Sequence, residues 1–405
     1  MNKSTILLLL VFTACYPARE QLAWKSIEND LQLRLIQARP GETITLPEGN
    51  FMFSKSLIMD GLREVTIRGA GMDKTILSFE NQEIGAEGIR AANCVNLAFE
   101  DFTIRDAKGD NLKVTDTQGI RFTRVKSEWT GEPKEENGAY AFYPVLCKNV
   151  VVEHCLAIGS SDAGIYVGQS DSVIIRNNEV YFNVAGIESE NSRWVEIYGN
   201  HAHHNTGGIL IFDMPGLTQS GHTTRVFDNR VISNNYRNFA PEGNVVATVP
   251  SGTGVMMMAT RTIEVFDNQI IDNRTIGTAI ASYILVEALG AKAGSQLDSA
   301  NAKINESYDP YPNQIHIHDN TYDNKYAIPT FRNDFGLLFF VKFPFATPDI
   351  AIDGIFPKDK PFEMCLKNNG AVRFANIDAE NDFAGLTTDG SDYDCQEVSI
   401  KPIFK

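Results

Sequence analysis

The chain has 405 residues, 43% hydrophobic and 21% charged, with 51 acidic against 36 basic side chains and a formal net charge of −15. This is an ordinary soluble composition, long enough for one extended core, and its acidic balance argues against nucleic acid as a partner. The six cysteines show no CxxC or His/Cys ligand spacing, so neither a metal nor any other cofactor is expected.

The first residues, Met1-Asn-Lys3, precede a short apolar run from Ile6 to Phe12. That run cannot span a bilayer and reads as an export signal over residues 1–14. It ends Phe12-Thr-Ala-Cys15, a lipobox-like sequence that would make Cys15 the lipidated first residue of the mature chain; plain cleavage near Ala14 is the alternative. Residues 15–38 then read as a tether and an amphipathic helix beginning near Trp24, with Ser26 as a possible N-cap and Pro40-Gly41 as its stop. Such a helix would cover the open end of a sheet core.

Residues 39–325 carry a repeat. It is clearest as Gly164-Ile-Tyr-Val-Gly to Asn178, Gly186-Ile-Glu-Ser-Glu to Asn200 and Gly208-Ile-Leu-Ile-Phe to Asn229, with 22 residues between successive glycines. It continues through Gly254 to Asn268 and ends at His316-Ile-His-Asp-Asn320. A unit this short cannot bury its own apolar face, so it must stack into a solenoid. Apolar residues alternate with polar ones (Ile165, Val167; Ile209, Ile211; Val173, Ile175; Ile263, Val265), the period of strands rather than helices. The predicted fold is all-β: a right-handed, single-stranded parallel β-helix with an N-terminal capping helix. The asparagines would stack as an amide ladder inside one turn.

Residues 326–405, rich in aromatics and proline, read as a C-terminal cap. Cys365 and Cys395 are 30 apart there and are expected to form a disulfide in an exported protein. Cys155 occupies a ladder position and should be a buried thiol. Cys94 and Cys147 fall two coils apart, about 9.6 Å at the strand spacing, and should not pair.

Extra residues interrupt the repeat at about 127–139, 214–222, 232–252 and 284–312. All four border the same sheet, and long loops around one face of a solenoid mark a binding face. On that face the outward position two after each glycine reads Arg90, Lys113, Tyr143, Tyr166, Glu188, Leu210, Met256. Two residues further on come Val145, Gly168, Glu190, Phe212 and Met258, followed in the turns by Gln169, Asn191 and Asp213. Glu188 and Glu190 would emerge roughly 6.5 to 7 Å apart, a separation suited to acid and base work on a glycosidic bond. Glu188, Glu190, Asp213 and Asp162 are therefore the catalytic candidates, and Tyr143, Tyr166, Gln169 and Asn191 the substrate-binding ones. Leu210, Phe212, Met256 and Met258 are expected beneath the long loops. The columns Glu196, Arg225, Glu264, His316 and Arg176, Tyr198, Phe227, Phe266, His318 read as structural ion pairs and ring stacks. His201, His203 and His204 lack a carboxylate or cysteine at ligand spacing, so no metal is expected there.

Ala139-Tyr-Ala-Phe-Tyr-Pro144, Ser161-Asp-Ala-Gly-Ile-Tyr-Val-Gly-Gln169, Ala185-Gly-Ile-Glu-Ser-Glu-Asn191, Gly207-Gly-Ile-Leu-Ile-Phe-Asp-Met-Pro215 and Gly252-Thr-Gly-Val255 resemble a bacterial family of exported or lipoprotein parallel β-helix proteins with tandem repeats. The resemblance covers nearly the whole mature chain, and that family has no established activity. It implies a pectate-lyase-like superfold, a cell-envelope location with a membrane anchor at the N-terminus, and a possible second exported protein as partner. The fold class implies polysaccharide or oligosaccharide as ligand. Motifs of polygalacturonases and calcium-dependent lyases are missing, so a glycosidase is favoured over a lyase or epimerase.

Two functional expectations follow. One is a lipoprotein that binds or processes a glycan on the loop-walled face. The other is a non-catalytic scaffold that docks an exported partner through Leu210, Phe212, Met256 and Met258.

Overall fold

The computed structural model describes residues 26–292, 308–326, 328–343, 347–395 and 400–404. The expected export signal and Cys15 lie outside the described residues. Two parallel sheets wrap a single core. One has eleven strands, from Lys55–Asp60 through Ala163–Gly168, Ala185–Glu190 and Gly207–Phe212 to Phe374–Asn376. The other has nineteen and supplies both remaining faces, joined because Val95–Arg105 and Gln118–Glu128 run through the corner between them.

Register is as the repeat demands. Ile165 lies over Ile187, then Ile209, then Val255, and every one of these inward side chains is buried. The outward partners align equally: Tyr166 with Glu188, Glu188 with Leu210, Leu210 with Met256.

The glycine that opens each strand is required by close approach. A Cβ on Gly186 would sit 2.6 Å from the Gly208 carbonyl oxygen and 2.8 Å from Asn205 Nδ2. Gly164 and Gly208 meet the same two neighbours, the next glycine's carbonyl and an asparagine amide, at 2.6 to 2.9 Å. Only a residue without a side chain allows coils to stack at this corner.

Two amide ladders run up the solenoid. In the expected one, Asn178, Asn200, Asn229, Asn268 and Asn320 each donate Nδ2 to the next asparagine's Oδ1 at 2.9 to 3.1 Å, ending on Asn369. Cys155 stands at the foot of this ladder, its backbone N–H bonded to Asn178 Oδ1, and its thiol is buried. The second ladder, Asn183, Asn205, Asn234 and Asn273, was not anticipated. Its cue is an asparagine five residues after each of Asn178, Asn200, Asn229 and Asn268, and its amides are the ones packed against the glycine corner.

The N-terminal helix is Glu28–Gln37, with Ile27 at its N-cap and no side-chain cap, so Ser26 does not play that part. Leu31 and Leu35 close the core, while Gln32 bonds both the N–H and the carbonyl of Ile58 at 2.9 Å. The Glu28 carboxylate accepts from the Ser54 and Lys55 amides. Side chains of the helix thereby satisfy a strand edge that would otherwise be open to another chain.

The solenoid also runs further than its motif. Met364–Lys367 pairs with Asn313–His318, and Ile350–Ile352 and Phe374–Asn376 extend the eleven-stranded sheet past the expected boundary at residue 325. The helix Asp334–Lys342 lies against the sheet face at the last two coils, with Phe339 packed with Ala351 and Ala375. Cys365 and Cys395 are disulfide-bonded, and Cys94, Cys147 and Cys155 are free and buried.

Candidate functional site

The outward row of the eleven-stranded sheet changes character along the solenoid. Arg90 is exposed, Lys113 and Tyr143 are half-buried, and Tyr166 and Glu188 are buried. The cover is the 232–252 insertion. Phe239, Val246 and Val249 pack with Tyr166, Leu210, Phe212, Met256 and Met258 into a second apolar core outside the solenoid. The last insertion begins as a helix, Tyr283–Lys292, whose Tyr283, Leu285 and Val286 complete that core. Leu210, Phe212, Met256 and Met258 thus lie under the loops as expected. For the same reason they offer no docking surface, and the scaffold reading loses the patch on which it relied.

The glutamates do not stand on an open face. Glu188 is 2% exposed, and Glu190 is half-buried at the rim. Side chains leave the strand outward, as period two requires, but meet a folded loop instead of water. Around them the structure gathers Asp162, from the turn before the strand Ala163–Gly168, and three tyrosines. Tyr166 donates its phenol proton to Glu190 Oε1 at 2.7 Å, and Tyr140 donates to Asp162 Oδ2 at 3.2 Å. Tyr140, Tyr143 and Tyr166 lie with ring centroids 4.4 to 5.0 Å apart. Tyr140 was missed because Ala141 breaks the alternation that placed Tyr143. From the lid, Asn244 Nδ2 reaches Asp162 Oδ2 at 3.4 Å, and Arg237 Nη2 bonds the Pro133 carbonyl at 3.0 Å, tying the third insertion to the first.

Charge is held here at a cost. Asp162 Oδ1 and Glu188 Oε2 are buried with no hydrogen-bond partner. Burial, and then the charge of Glu190, pushes Asp162 up to about 7. Burial together with Asp162 and Glu190 holds Glu188 well above the carboxylate range. Burial raises Glu190 as well, but the Tyr166 phenol opposes that rise. Burial thus raises all three acids, and a hydrogen-bond donor opposes that rise at Glu190 and Asp162 but not at Glu188. Next along the row, Lys113 lies 3.4 Å from Asp110 and 3.5 Å from Glu87, and 4.9 Å over the Tyr143 ring. Burial, offset by Lys113, leaves Asp110 at about 6.

The remaining candidates sit apart from this cluster. Asp213 Oδ1 accepts from the Gly221 amide at 2.7 Å, its Oδ2 is buried and unpartnered, and burial pushes its carboxyl up to about 7. Asn191 exchanges hydrogen bonds with Met214 and reaches the Gln219 carbonyl; Gln169 accepts from the Thr218 amide and hydroxyl. Both anchor the 214–222 loop, so their polar groups are engaged by the protein itself rather than offered to a substrate.

The structural columns behave as expected. Arg225 bridges Glu196 and Glu264 at 2.9 Å each, and Tyr198, Phe227, Phe266 and His318 stack at 4.8 to 5.2 Å. The histidine cluster differs. Glu179, one coil earlier, pairs in register with His201 and puts Oε1 3.1 Å from His203 Nε2. A carboxylate does accompany these histidines, 22 residues away in sequence but adjacent across the stack.

The fold is a right-handed parallel β-helix, and residues 64–223 match the family model for a right-handed β-helix region. Solved structures similar to this chain include the A-module of the mannuronan C-5 epimerase AlgE4 from Azotobacter vinelandii, at 14% identity over 85% of this chain and 91% of that one, with a TM-score of 0.48. A DFA-IIIase from Arthrobacter chlorophenolicus A6 aligns at 12% identity over 81% and 91%, also with a TM-score of 0.48. Comparison with curated protein sequences gives no match.

Proposed function

We propose that the lid-covered row is an acid/base site that cleaves a glycosidic bond, with Glu188 as general acid and Glu190 as base or nucleophile. The observation that carries this reading is the pair of buried, unpartnered oxygens Asp162 Oδ1 and Glu188 Oε2. Each such atom costs about 1–3 kcal/mol, and nothing in the fold requires it. Leu210, Met256 and Ala279 hold the same register position as Glu188 in the next three coils, so an apolar side chain fits there equally well. Acids retained at such a cost, with proton affinities split by environment, suit proton transfer at neutral pH.

In this reading Glu188 delivers its proton to the leaving oxygen as the glycosidic C–O bond breaks. Glu190, oriented by Tyr166, either takes a proton from the water that attacks the anomeric carbon, which Asp162 relays back to Glu188, or attacks that carbon itself, after which water activated by Glu188 releases the sugar and restores its proton. The tyrosine rings provide flat apolar faces for a sugar. The row is open at Arg90 and closed at Leu210, so a ligand enters along Lys113 and Tyr143 and stops at the acids. That shape favours the end of a chain over its interior.

The test is product analysis on a panel of polysaccharides and oligosaccharides with wild type and Glu188→Gln. Release of mono- or disaccharide by wild type, lost in Glu188→Gln with binding retained, supports the proposal. Equal turnover by both proteins, or no turnover on any glycan, refutes it. The envelope location is part of the same proposal and rests on residues 1–15. Membrane fractionation of Cys15→Ser tests it, with release into the soluble fraction expected.

A further inference from the structure

On a different face from Glu188, the strands Glu179–Tyr181 and His201–His203 pair in parallel, with Glu179 opposite His201 and Tyr181 opposite His203. Period two turns Glu179, Tyr181, His201 and His203 outward together, while Val180 and Ala202 fill the core. One carboxylate oxygen of Glu179 and one ring nitrogen from each of His201 and His203 all lie within 4.8 Å of one another. We propose that Glu179, His201 and His203 form a binding site for one divalent transition-metal ion of the zinc type, bridging two adjacent coils.

The ligand set and its surroundings argue for this together. Two imidazoles and a carboxylate suit Zn2+, Cu2+ or Ni2+ rather than the oxygen-seeking Ca2+ and Mg2+. Bonds of about 2.0–2.1 Å to a tetrahedral ion set neighbouring ligand atoms about 3.3 Å apart. His203 Nε2 and Glu179 Oε1 are 3.1 Å apart, so this pair needs almost no movement. The His201 ring, with its centroid 4.2 Å from that of His203, closes the third position by side-chain rotation. The fourth position faces solvent, where a water would complete the shell.

The outer contacts also fit. The Tyr181 ring stacks on His203 with centroids 5.1 Å apart and planes 11° from parallel, which fixes the imidazole plane. His203 Nδ1 lies 2.7 Å from His204 Nδ1. With a metal on Nε2, His203 carries its proton on Nδ1 and donates it to His204, the arrangement that orients metal-bound histidines. Without metal, His203 donates from Nε2 to Glu179 and accepts from His204. Binding therefore replaces the His203–Glu179 hydrogen bond with two bonds to the metal and keeps the His203–His204 hydrogen bond with its direction reversed. Arg230, opposite His201 in the following coil, adds positive charge that lowers the affinity of the site.

The test uses the mature chain without a polyhistidine tag, stripped of metal and titrated with Zn2+ by calorimetry, with Co2+ absorption as the report on geometry. One Zn2+ per chain is expected, with a tetrahedral Co2+ spectrum and a rise in wild-type Tm on adding Zn2+. His204→Ala should weaken binding roughly 10- to 100-fold at unchanged stoichiometry. His201→Ala/His203→Ala, checked for fold by circular dichroism, should lose binding and the Tm response. Absence of Zn2+ uptake by wild type, or undiminished uptake by the folded double variant, overturns the proposal.

Discussion

Tyr166 donates its phenol proton to Glu190 Oε1 at 2.7 Å, so a ring on one coil sets the proton affinity of an acid on the next. That bond favours ionised Glu190, whereas Glu188, on the same strand, has no donor to its Oε2 and is held up further by the charges of Asp162 and Glu190.

Removing it should merge the two acids. A hydrogen bond to a charged group contributes about 1.5–3 kcal/mol, which corresponds to one pKa unit or more. In Tyr166→Phe the proton affinity of the Glu190 carboxyl should therefore rise, because the bond favours its ionised form. NMR titration of 13C-labelled glutamate carboxyls measures this directly, and under the proposed chemistry the acidic limb of the rate profile shifts upward with it. An unshifted Glu190 resonance would mean the bond does not govern its ionisation.

Stability should carry the same signature. Asp162 and Asp213 are pushed up to about 7 by burial, so the folded chain binds protons that the unfolded chain has already released. The stability they contribute is complete below about pH 4 and is lost as the pH rises through about 7, at up to about 1.4 kcal/mol per unit and per group. Comparing each variant with wild type isolates one group from the rest. Asp213→Asn should lose less stability than wild type between about pH 5 and about pH 8, and Glu188→Gln should behave alike because burial, Asp162 and Glu190 hold Glu188 well above the carboxylate range. Thermal unfolding across that range is the measurement; parallel curves for variant and wild type would contradict the assignment.

Glycine and ladder are one device. At Gly208 an added Cβ would meet Val231 Cγ1 at 2.5 Å, the Gly254 carbonyl at 2.6 Å and Asn234 Nδ2 at 2.9 Å. Gly208→Ala should force neighbouring coils apart and cost about 1–3 kcal/mol, the range for overpacking a tight core. Asn234→Ala should cost more. It leaves the Asn205 backbone N–H without its acceptor, leaves Asn205 Nδ2 with the Val180 carbonyl alone, and takes the side-chain donor from the Ala202 carbonyl, at about 1–3 kcal/mol for each buried group left unpaired. Urea midpoints for the two single variants rank them. The double variant should fall only slightly short of the sum, because removing the Asn234 amide relieves the 2.9 Å contact and leaves those with Val231 and the Gly254 carbonyl.

Much of this architecture can be read from residue order, because stacking converts a 22-residue period into vertical neighbours. The columns Ile165–Ile187–Ile209 and Tyr166–Glu188–Leu210 follow from period two and the glycine positions alone. Whether Glu188 meets water does not, since that depends on how residues 232–252 fold back, and Phe239 and Val246 carry no periodicity that would place them. The coils at Ile350–Ile352 and Phe374–Asn376 were hidden by the long excursion after Ile276–Ala281. By contrast, the pairing of Glu179 with His201 was legible: 22 residues separate them, and the same arithmetic that aligned the glutamates aligns these.

Arg225 sets the loss of one charge against the loss of three. Its guanidinium lies between Glu196 and Glu264 at 2.9 Å each and about 5 Å over the Phe227 and Phe266 rings, with its side chain only 11% exposed. Two carboxylates thus share one cation where water barely reaches. The Ile403 amide supplies a further donor to Glu196 Oε1 at 3.0 Å, and His318 Nε2 lies 3.2 Å from Glu264 Oε1. Deleting the cation leaves two like charges buried side by side, so Arg225→Ala should cost about 3–5 kcal/mol. Removing the charges together is a different experiment. Glu196→Gln/Arg225→Met/Glu264→Gln keeps the volume and the ring stack, and buried ion pairs replaced by uncharged residues are commonly neutral or stabilising. The triple variant should therefore recover most of the loss seen in Arg225→Ala. Urea midpoints measured with matched slopes decide this. A triple variant as unstable as Arg225→Ala would mean that packing on Phe227 and Phe266, and not charge compensation, is what Arg225 provides.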